Sequence, residues 1–135
     1  MKPLKTPWMA AALLVAAVSA PVYSYAHHSG AMFDRTKEVK IVGTVKEFNW
    51  TNPHSSFSVE VPNTAGVAQV WAIEMNGPQG LVREGWKRST LKPGDKVTVT
   101  INPLRDGKPG GWYVAVSLPD GKFLSTSEAK VAPAK

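Results

Sequence analysis

The sequence contains no cysteine among its 135 residues. Disulfide bonds, zinc sites built from thiolates, a cysteine nucleophile and a lipid anchor on cysteine are therefore excluded. Charged residues make up only 19% of the chain, and its lysines and arginines form no run. A protein that binds nucleic acid needs a clustered basic patch, so we expect no nucleic-acid partner.

Catalytic motifs are missing as well. The sequence has no Gly-x-Ser-x-Gly nucleophile elbow, no His-Glu-x-x-His zinc motif, no phosphate-binding loop and no evident pair of carboxylates. Its two Asp-Gly pairs, at residues 106–107 and 120–121, predict turns. We therefore expect a binding protein and not an enzyme.

The first 26 residues predict a secretory signal peptide. Two lysines precede an uncharged, apolar run at residues 8–20, and small residues follow it. Cleavage after Ala20 would leave Pro21 at the cut, which disfavours signal peptidase, so we expect cleavage after Ala26. The alternative is an uncleaved membrane anchor, because the 19 residues before the expected cut are marginally long enough to span a bilayer.

Cleavage changes the composition on which the fold depends. Removing 26 of the 135 residues leaves 109, with 14 basic and 10 acidic side chains and a net charge of +4. This length indicates one domain, and without disulfides the fold must be held by its hydrophobic core alone. We expect an exported monomer with no stable membrane anchor after cleavage.

The hydrophobic pattern predicts a small all-β barrel. The 11 glycines and 11 prolines argue against a coiled coil. Alternation of polar and apolar residues predicts five strands, at residues 39–50, 56–61, 67–75, 97–101 and 112–118, followed by a turn and a short segment at residues 123–124. Between the third and fourth strands, Leu81, Val82 and Trp86 suit a short helix that Gly80 and Gly85 weaken.

This order, βββαββ, is that of the OB-fold, a five-stranded Greek-key barrel. A β-sandwich without the helix is the alternative. We expect an N-terminal arm at residues 27–38, the barrel domain at residues 39–124 and a disordered tail at residues 125–135. Gly43 stands where the alternation of the first strand is ambiguous, which predicts a strand bent between two halves of the sheet.

Three histidines supply the candidate chemistry: His27, His28 and His54. Cleavage after Ala26 gives His27 the α-amine. An N-terminal histidine chelates through its amine and Nδ1, whereas a histidine in second place chelates through amine, amide and imidazole. Either mode leaves a position that His54 could fill. Nitrogen ligands in a tetragonal array favour Cu(II), with Zn(II) the second choice.

Each of these histidines also has an ordinary structural interpretation. Two histidines at a chain end can simply be solvated, and His54, after a proline at the start of a strand, can cap a turn.

Met32 and Met75 could bind Cu(I), but a methionine in a strand more often packs in the core. Glu74 alternates with apolar residues and is a weak candidate for an extra ligand.

Four tryptophans remain after cleavage. An OB-fold presents the face of strands 2 and 3 to its ligands, where aromatic side chains could stack. Trp50 and Trp86 are the weak candidates for ligand binding, and Trp86, followed by two basic residues, is expected to be partly exposed. Trp71 and Trp112 are expected to fill the core.

Several short motifs resemble one known family. They are His-His-Ser at residues 27–29, Asn-Pro-His-Ser at 52–55, Leu-Lys-Pro-Gly-Asp at 91–95 and Asn-Pro-Leu-Arg-Asp-Gly at 102–107. Together they resemble the small exported bacterial proteins of the family of unknown function DUF6152, except that Gly30 and Ser56 stand where larger, often aromatic, residues are expected. The resemblance implies a small barrel in the periplasm of a Gram-negative bacterium. It implies no activity, but it associates the two histidine motifs.

Two hypotheses follow from the sequence. The first is a periplasmic, non-enzymatic metal-binding protein, with copper favoured, whose ligands are His27, His28 and His54. The second is a metal-free OB-like module that binds a partner protein or a small ligand in the cell envelope.

Overall fold

The structure, a computed structural model, describes residue 1 and residues 30–129. The expected signal peptide, His27, His28 and residues 130–135 lie outside the described residues. No helix in the described part of the chain is long and apolar enough to cross a membrane.

Residues 30–129 form six strands and one short helix, in the order that the hydrophobic pattern predicts. The elements are β1 (Val39–Asn49), β2 (Ser56–Pro62), β3 (Ala68–Glu74), α1 (Pro78–Arg83), β4 (Lys96–Pro103), β5 (Gly110–Ser117) and β6 (Phe123–Ser125). Pro78 begins the helix, where its missing N–H costs no hydrogen bond. The helix ends after six residues because Gly85, at φ +89°, turns the chain back towards the barrel.

The strands close into a barrel. Their order across the sheet is β3-β2-β1-β4-β5, and the ends meet where β3 pairs with β5 in parallel. All other neighbours are antiparallel, and β6 adds to the outer edge of β5. A closed five-stranded barrel with its helix between β3 and β4 is an OB-fold, so the prediction is confirmed and the sandwich alternative is wrong.

Strand β1 bends because it pairs with β2 at one end and β4 at the other. The register with β2 shifts between Val45 and Glu47, which marks a β-bulge. Gly43 lies against the backbone carbonyl of Glu60, and any Cβ at this position would clash with that oxygen. The ambiguous alternation at Gly43 therefore reflects the shared strand that the sequence predicts.

The barrel interior is apolar, and Trp86 is its largest fully buried side chain. Trp86 is only 1% exposed, and its Nε1–H donates to the Tyr113 hydroxyl at 3.2 Å. Its ring also lies 5.9 Å from Phe48 and 6.4 Å from Phe57. The expectation that Trp86 is partly exposed is wrong, because the turn at Gly85 directs its side chain inward although its two successors are basic.

The other large side chains divide between interior and edge. Met75 is fully buried, which confirms the packing interpretation of this residue. Trp71 is half-buried and packs against the core, whereas Trp112 is half-buried outside it, so the expected core position of Trp112 is wrong. Trp50 is half-buried, 5.8 Å from the ring of Phe48.

The expected disordered tail begins with ordered residues. Ser125 belongs to β6, and the N–H of Thr126 donates to the carbonyl of Val114 at 2.9 Å. Ala129 closes a turn onto Thr126 with a hydrogen bond of 3.1 Å. The rest of the expected tail lies outside the described residues.

Candidate functional site

The loop between β1 and β2 holds His54 in a fixed position. Ser55, the next residue, is completely buried, and its backbone exchanges hydrogen bonds with Asn76 (3.2 Å) and Met75 (2.9 Å). Its hydroxyl bridges the backbone N–H and carbonyl of Thr51, each at 3.3 Å. The loop is therefore fastened to the end of β3 directly beside His54.

His54 contacts a carboxylate. Its Nδ1 lies 2.5 Å from Oε1 of Glu74, and the two side chains are 28% and 31% exposed. A neutral His54 that donates its Nδ1–H to this carboxylate has its lone pair on Nε2. Metal-binding histidines are commonly oriented by a carboxylate in this way. The structure thus brings Glu74, a weak candidate from sequence, against the loop histidine.

Trp112 is the third member of this cluster, and sequence reasoning missed it. The His54 and Trp112 rings are 5.5 Å apart and meet edge to face at 83°. Trp112 is the register partner of Glu74 across the parallel pairing of β3 and β5. Only that long-range pairing places Trp112 beside His54, and no local pattern indicates it.

The N-terminal arm is fastened beside the same cluster. Phe33 is 3% exposed, bridges to Leu104 and packs 5.6 Å from the Trp112 ring. Arg105 donates its backbone N–H to the carbonyl of Met32 at 2.9 Å and its Nε–H to the carbonyl of Ala31 at 3.1 Å. The arm is therefore anchored to the β4–β5 loop from residue 31 onwards.

Asp34 stabilises the turn that follows this anchor. Its N–H donates to the carbonyl of Pro103 at 2.8 Å. The Thr36 hydroxyl and N–H donate to its carboxylate at 2.6 Å and 3.1 Å, and Lys37 and Arg105 lie 3.4 Å and 3.9 Å from it. The hydrogen bonds from Thr36, with smaller effects of the two cations, lower the pKa of Asp34.

A groove of about 560 Å³ runs between the arm and the outer face of β1, β2 and β3. Of the residues that the structure describes, the ionisable ones lining the groove are Glu47, Glu74 and His54, with no lysine or arginine among them. Met32, 49% exposed, forms part of the wall on the arm side. Ser56 lines the groove too, so the small side chain at this position leaves room where a larger one is expected.

The described residues alone do not form a complete metal site. Within residues 30–129, no three acidic or histidine side chains are grouped so that they could hold a metal ion. His54 and Glu74 are adjacent, while His27 and His28 lie outside the described residues. The meeting of the three histidines stays a prediction.

The tryptophan site expected from sequence does not form. Trp86 is buried in the core, whereas Trp50 lines a shallow depression of about 430 Å³ beside α1, together with the exposed Val82. In the part of the chain that the structure describes, Trp50 and Trp86 therefore share no ligand-binding surface.

A second cavity, of about 300 Å³, is lined by Trp112 as well. Arg35 lines this cavity, and its guanidinium lies 5.3 Å from the centre of the Trp112 ring. Glu84 also lines it, and its buried Oε2 has no hydrogen-bond partner among the described residues. Burial raises the pKa of Glu84, an effect partly opposed by a hydrogen bond from Asn76.

Comparison with solved structures returns distant likenesses. A mitochondrial single-stranded DNA binding protein from S. cerevisiae, Rim1, is 15% identical, with a TM-score of 0.48, covering 62% of this chain and 93% of that one. A ZRD-deleted mutant of TiaS, crystallised with agmatine, is 15% identical, with a TM-score of 0.46, covering 73% of this chain and 25% of that one. The fold assignment rests on the strand order and barrel closure described above.

Comparison of sequences gives the family. No curated protein matches the chain. A family model does match it over residues 14–113, most of the barrel included, and this confirms the resemblance carried by the short motifs. The chain belongs to the family of unknown function DUF6152.

Proposed function

We propose that the mature protein is a non-enzymatic metal-binding protein of the periplasm that holds Cu(II) through His27, His28 and His54. One observation carries the proposal: the oriented pair of His54 and Glu74 lines the same groove as Met32, which belongs to the anchored part of the arm. The metal would take its ligands from His54 and from the two histidines of the arm.

The length of the arm supports this arrangement. Met32 lines the same groove as His54, and His28 precedes Met32 by only four residues. Four residues span up to about 14 Å when extended. Because the hydrogen bonds of Arg105 fasten residues 31 and 32, a short tether would allow both histidines to reach His54.

The chemistry of the groove favours a cation, and its donors favour copper. Glu47 and Glu74 make its ionisable lining acidic, although the chain as a whole is basic. Two or three imidazoles and an amine form a nitrogen-rich set, which Cu(II) prefers and Zn(II) accepts as second choice. With Glu74 on Nδ1, His54 would coordinate through Nε2, and Glu74 would orient the ring.

This proposal makes function depend on export. The α-amine of His27 exists only after cleavage behind Ala26, so the protein would become competent to bind copper once the signal peptide has been removed. The cytoplasmic precursor would lack one ligand.

The test is a Cu(II) titration of mature protein purified from the periplasm. Mass spectrometry first establishes that the chain begins at His27, and EPR then follows the nitrogen ligands. We expect His54→Ala to weaken binding at least about tenfold, and a methionine retained before His27 to remove the tight site. The matched control Glu38→Gln changes an exposed charge outside the groove and should bind as wild type.

Binding that is weak and indifferent to His54→Ala would contradict the proposal. The metal would then be held by the chain end alone, and the metal-free binding module would be the better description of the protein.

A further inference from the structure

The outer face of β1, β2 and β3 continues the groove away from His54. Its side chains lie in register across the three strands: Asn49, Ser56 and Glu74 in one row, Glu47, Ser58 and Ala72 in the next, and Thr44, Glu60 and Val70 in the third. Along β2 and β3 each row is two residues, or about 7 Å, from the next, and on β1 the bulge puts Glu47 and Thr44 three residues apart. The face thus extends well beyond the cluster around His54.

Small side chains form the floor of this face. The middle of the sheet is recessed because its side chains are short: Ser56, Ser58 and Ala72. The wall on the β1 side carries the exposed Glu47, and the wall on the arm side carries the apolar Met32. A channel with a low floor and walls on both sides fits an extended chain better than a compact ligand.

The charge and hydrophobicity of the face are uneven. Beyond the groove, Glu60 is paired with Lys46 at 2.9 Å, whereas no lysine or arginine within residues 30–129 lines the groove beside Glu47. At the far end, Val42 and Val70 point outward and are 64% and 45% exposed. An apolar end and an acidic middle, on a basic protein, are complementary to a segment that is itself both apolar and basic.

We propose that this outer face is a docking surface for an extended, basic segment of a partner protein. Small apolar residues of the segment would lie on the floor, and a lysine or arginine would meet Glu47. The opposite face of an extended chain stays in solvent, so alternate residues provide the contacts. Docking needs no metal and is therefore independent of the copper proposal.

The test is fluorescence anisotropy with metal-free mature protein and labelled peptides of about eight residues. One peptide alternates lysine with alanine, and its counterpart alternates glutamate with alanine. We expect the lysine peptide alone to bind. Glu47→Gln should weaken it about threefold to tenfold, as expected for loss of one interfacial ion pair, and Ser58→Arg, which fills the floor, should weaken it more.

The control Glu38→Gln makes the same change of charge outside the groove. Equal weakening by Glu38→Gln and Glu47→Gln would reduce the binding to general electrostatic attraction and overturn the proposal. So would equal binding of the glutamate peptide, or displacement of the lysine peptide by single-stranded oligothymidylate. Amide chemical shifts provide a second measurement: changes confined to Ser58, Ala72 and their neighbours support docking on this face, and changes elsewhere refute it.

Discussion

The contact between Glu74 and His54 gives the sharpest prediction. Replacing Glu74 by alanine removes the carboxylate that accepts the Nδ1–H of His54 and helps to orient the imidazole ring. Loss of such a carboxylate typically weakens metal binding about 10- to 100-fold, or about 1.4 to 2.8 kcal/mol. Glu74→Gln keeps an acceptor oxygen at the same position and loses only the charge, so we expect a smaller effect, about threefold to tenfold.

Global stability should change little in either variant. The two side chains are about 30% exposed, and solvent-screened pairs of this kind contribute about 0 to 1 kcal/mol. A loss of copper affinity would therefore not be explained by unfolding, which circular dichroism checks directly.

The assay is competition for Cu(II) with a chelator of known affinity, at neutral pH, on protein that begins at His27. Glu47→Gln is the matched control because it removes the same charge from the same groove without touching His54. We expect its affinity to fall less than about threefold. The reasoning fails if Glu74→Ala binds copper as wild type does, or if Glu47→Gln loses as much as Glu74→Ala.

Three further predictions concern the arm, the second cavity and the core. Arg105→Ala removes the hydrogen bond to Ala31, so the tether loosens and copper affinity should fall about threefold in the same competition assay, with unchanged secondary structure. Glu84 has a raised pKa, so the folded state holds its proton more tightly than the unfolded state and stability declines as pH rises above the ordinary value of 4.5. Glu84→Gln should therefore have a higher Tm than wild type at pH 7, and the two Tm values should converge in acid. A difference in Tm that stays constant across pH would contradict this. Trp86→Ala should lower the free energy of unfolding by about 3 to 5 kcal/mol in urea titrations, and Trp86→Phe by less, because it loses chiefly the hydrogen bond to Tyr113.

The outcome for individual elements shows how far the sequence determines the site. The alternation in β2 predicts its burial pattern, because a strand with one face in a core has a period of two. Trp86 is wrongly predicted because the turn at Gly85, and not the character of neighbouring residues, sets its direction. The local pattern of polar and apolar residues therefore predicts the strands, but it does not predict the geometry of the turns between elements.

The candidate site depends on contacts between distant parts of the chain. His54 and Glu74 are 20 residues apart, and they meet because Ser56 pairs with Glu74 in the β2–β3 hairpin. Trp112 joins them only through the closure of the barrel. The histidine could be identified from its chemistry, but the register that supplies its neighbours is a property of the whole sheet.

The parallel pairing of β3 with β5 has a consequence for the dynamics of the barrel. This seam comprises three residue pairs, from Ala72–Gly110 to Glu74–Trp112, whereas the neighbouring β2–β3 pairing comprises seven. The seam is therefore the place where the cylinder would open first, and the cluster around His54 lies across it. A ligand that bridges the cluster and the arm would stabilise this seam. It should slow amide hydrogen exchange at the β3–β5 pairing more than in the rest of the barrel.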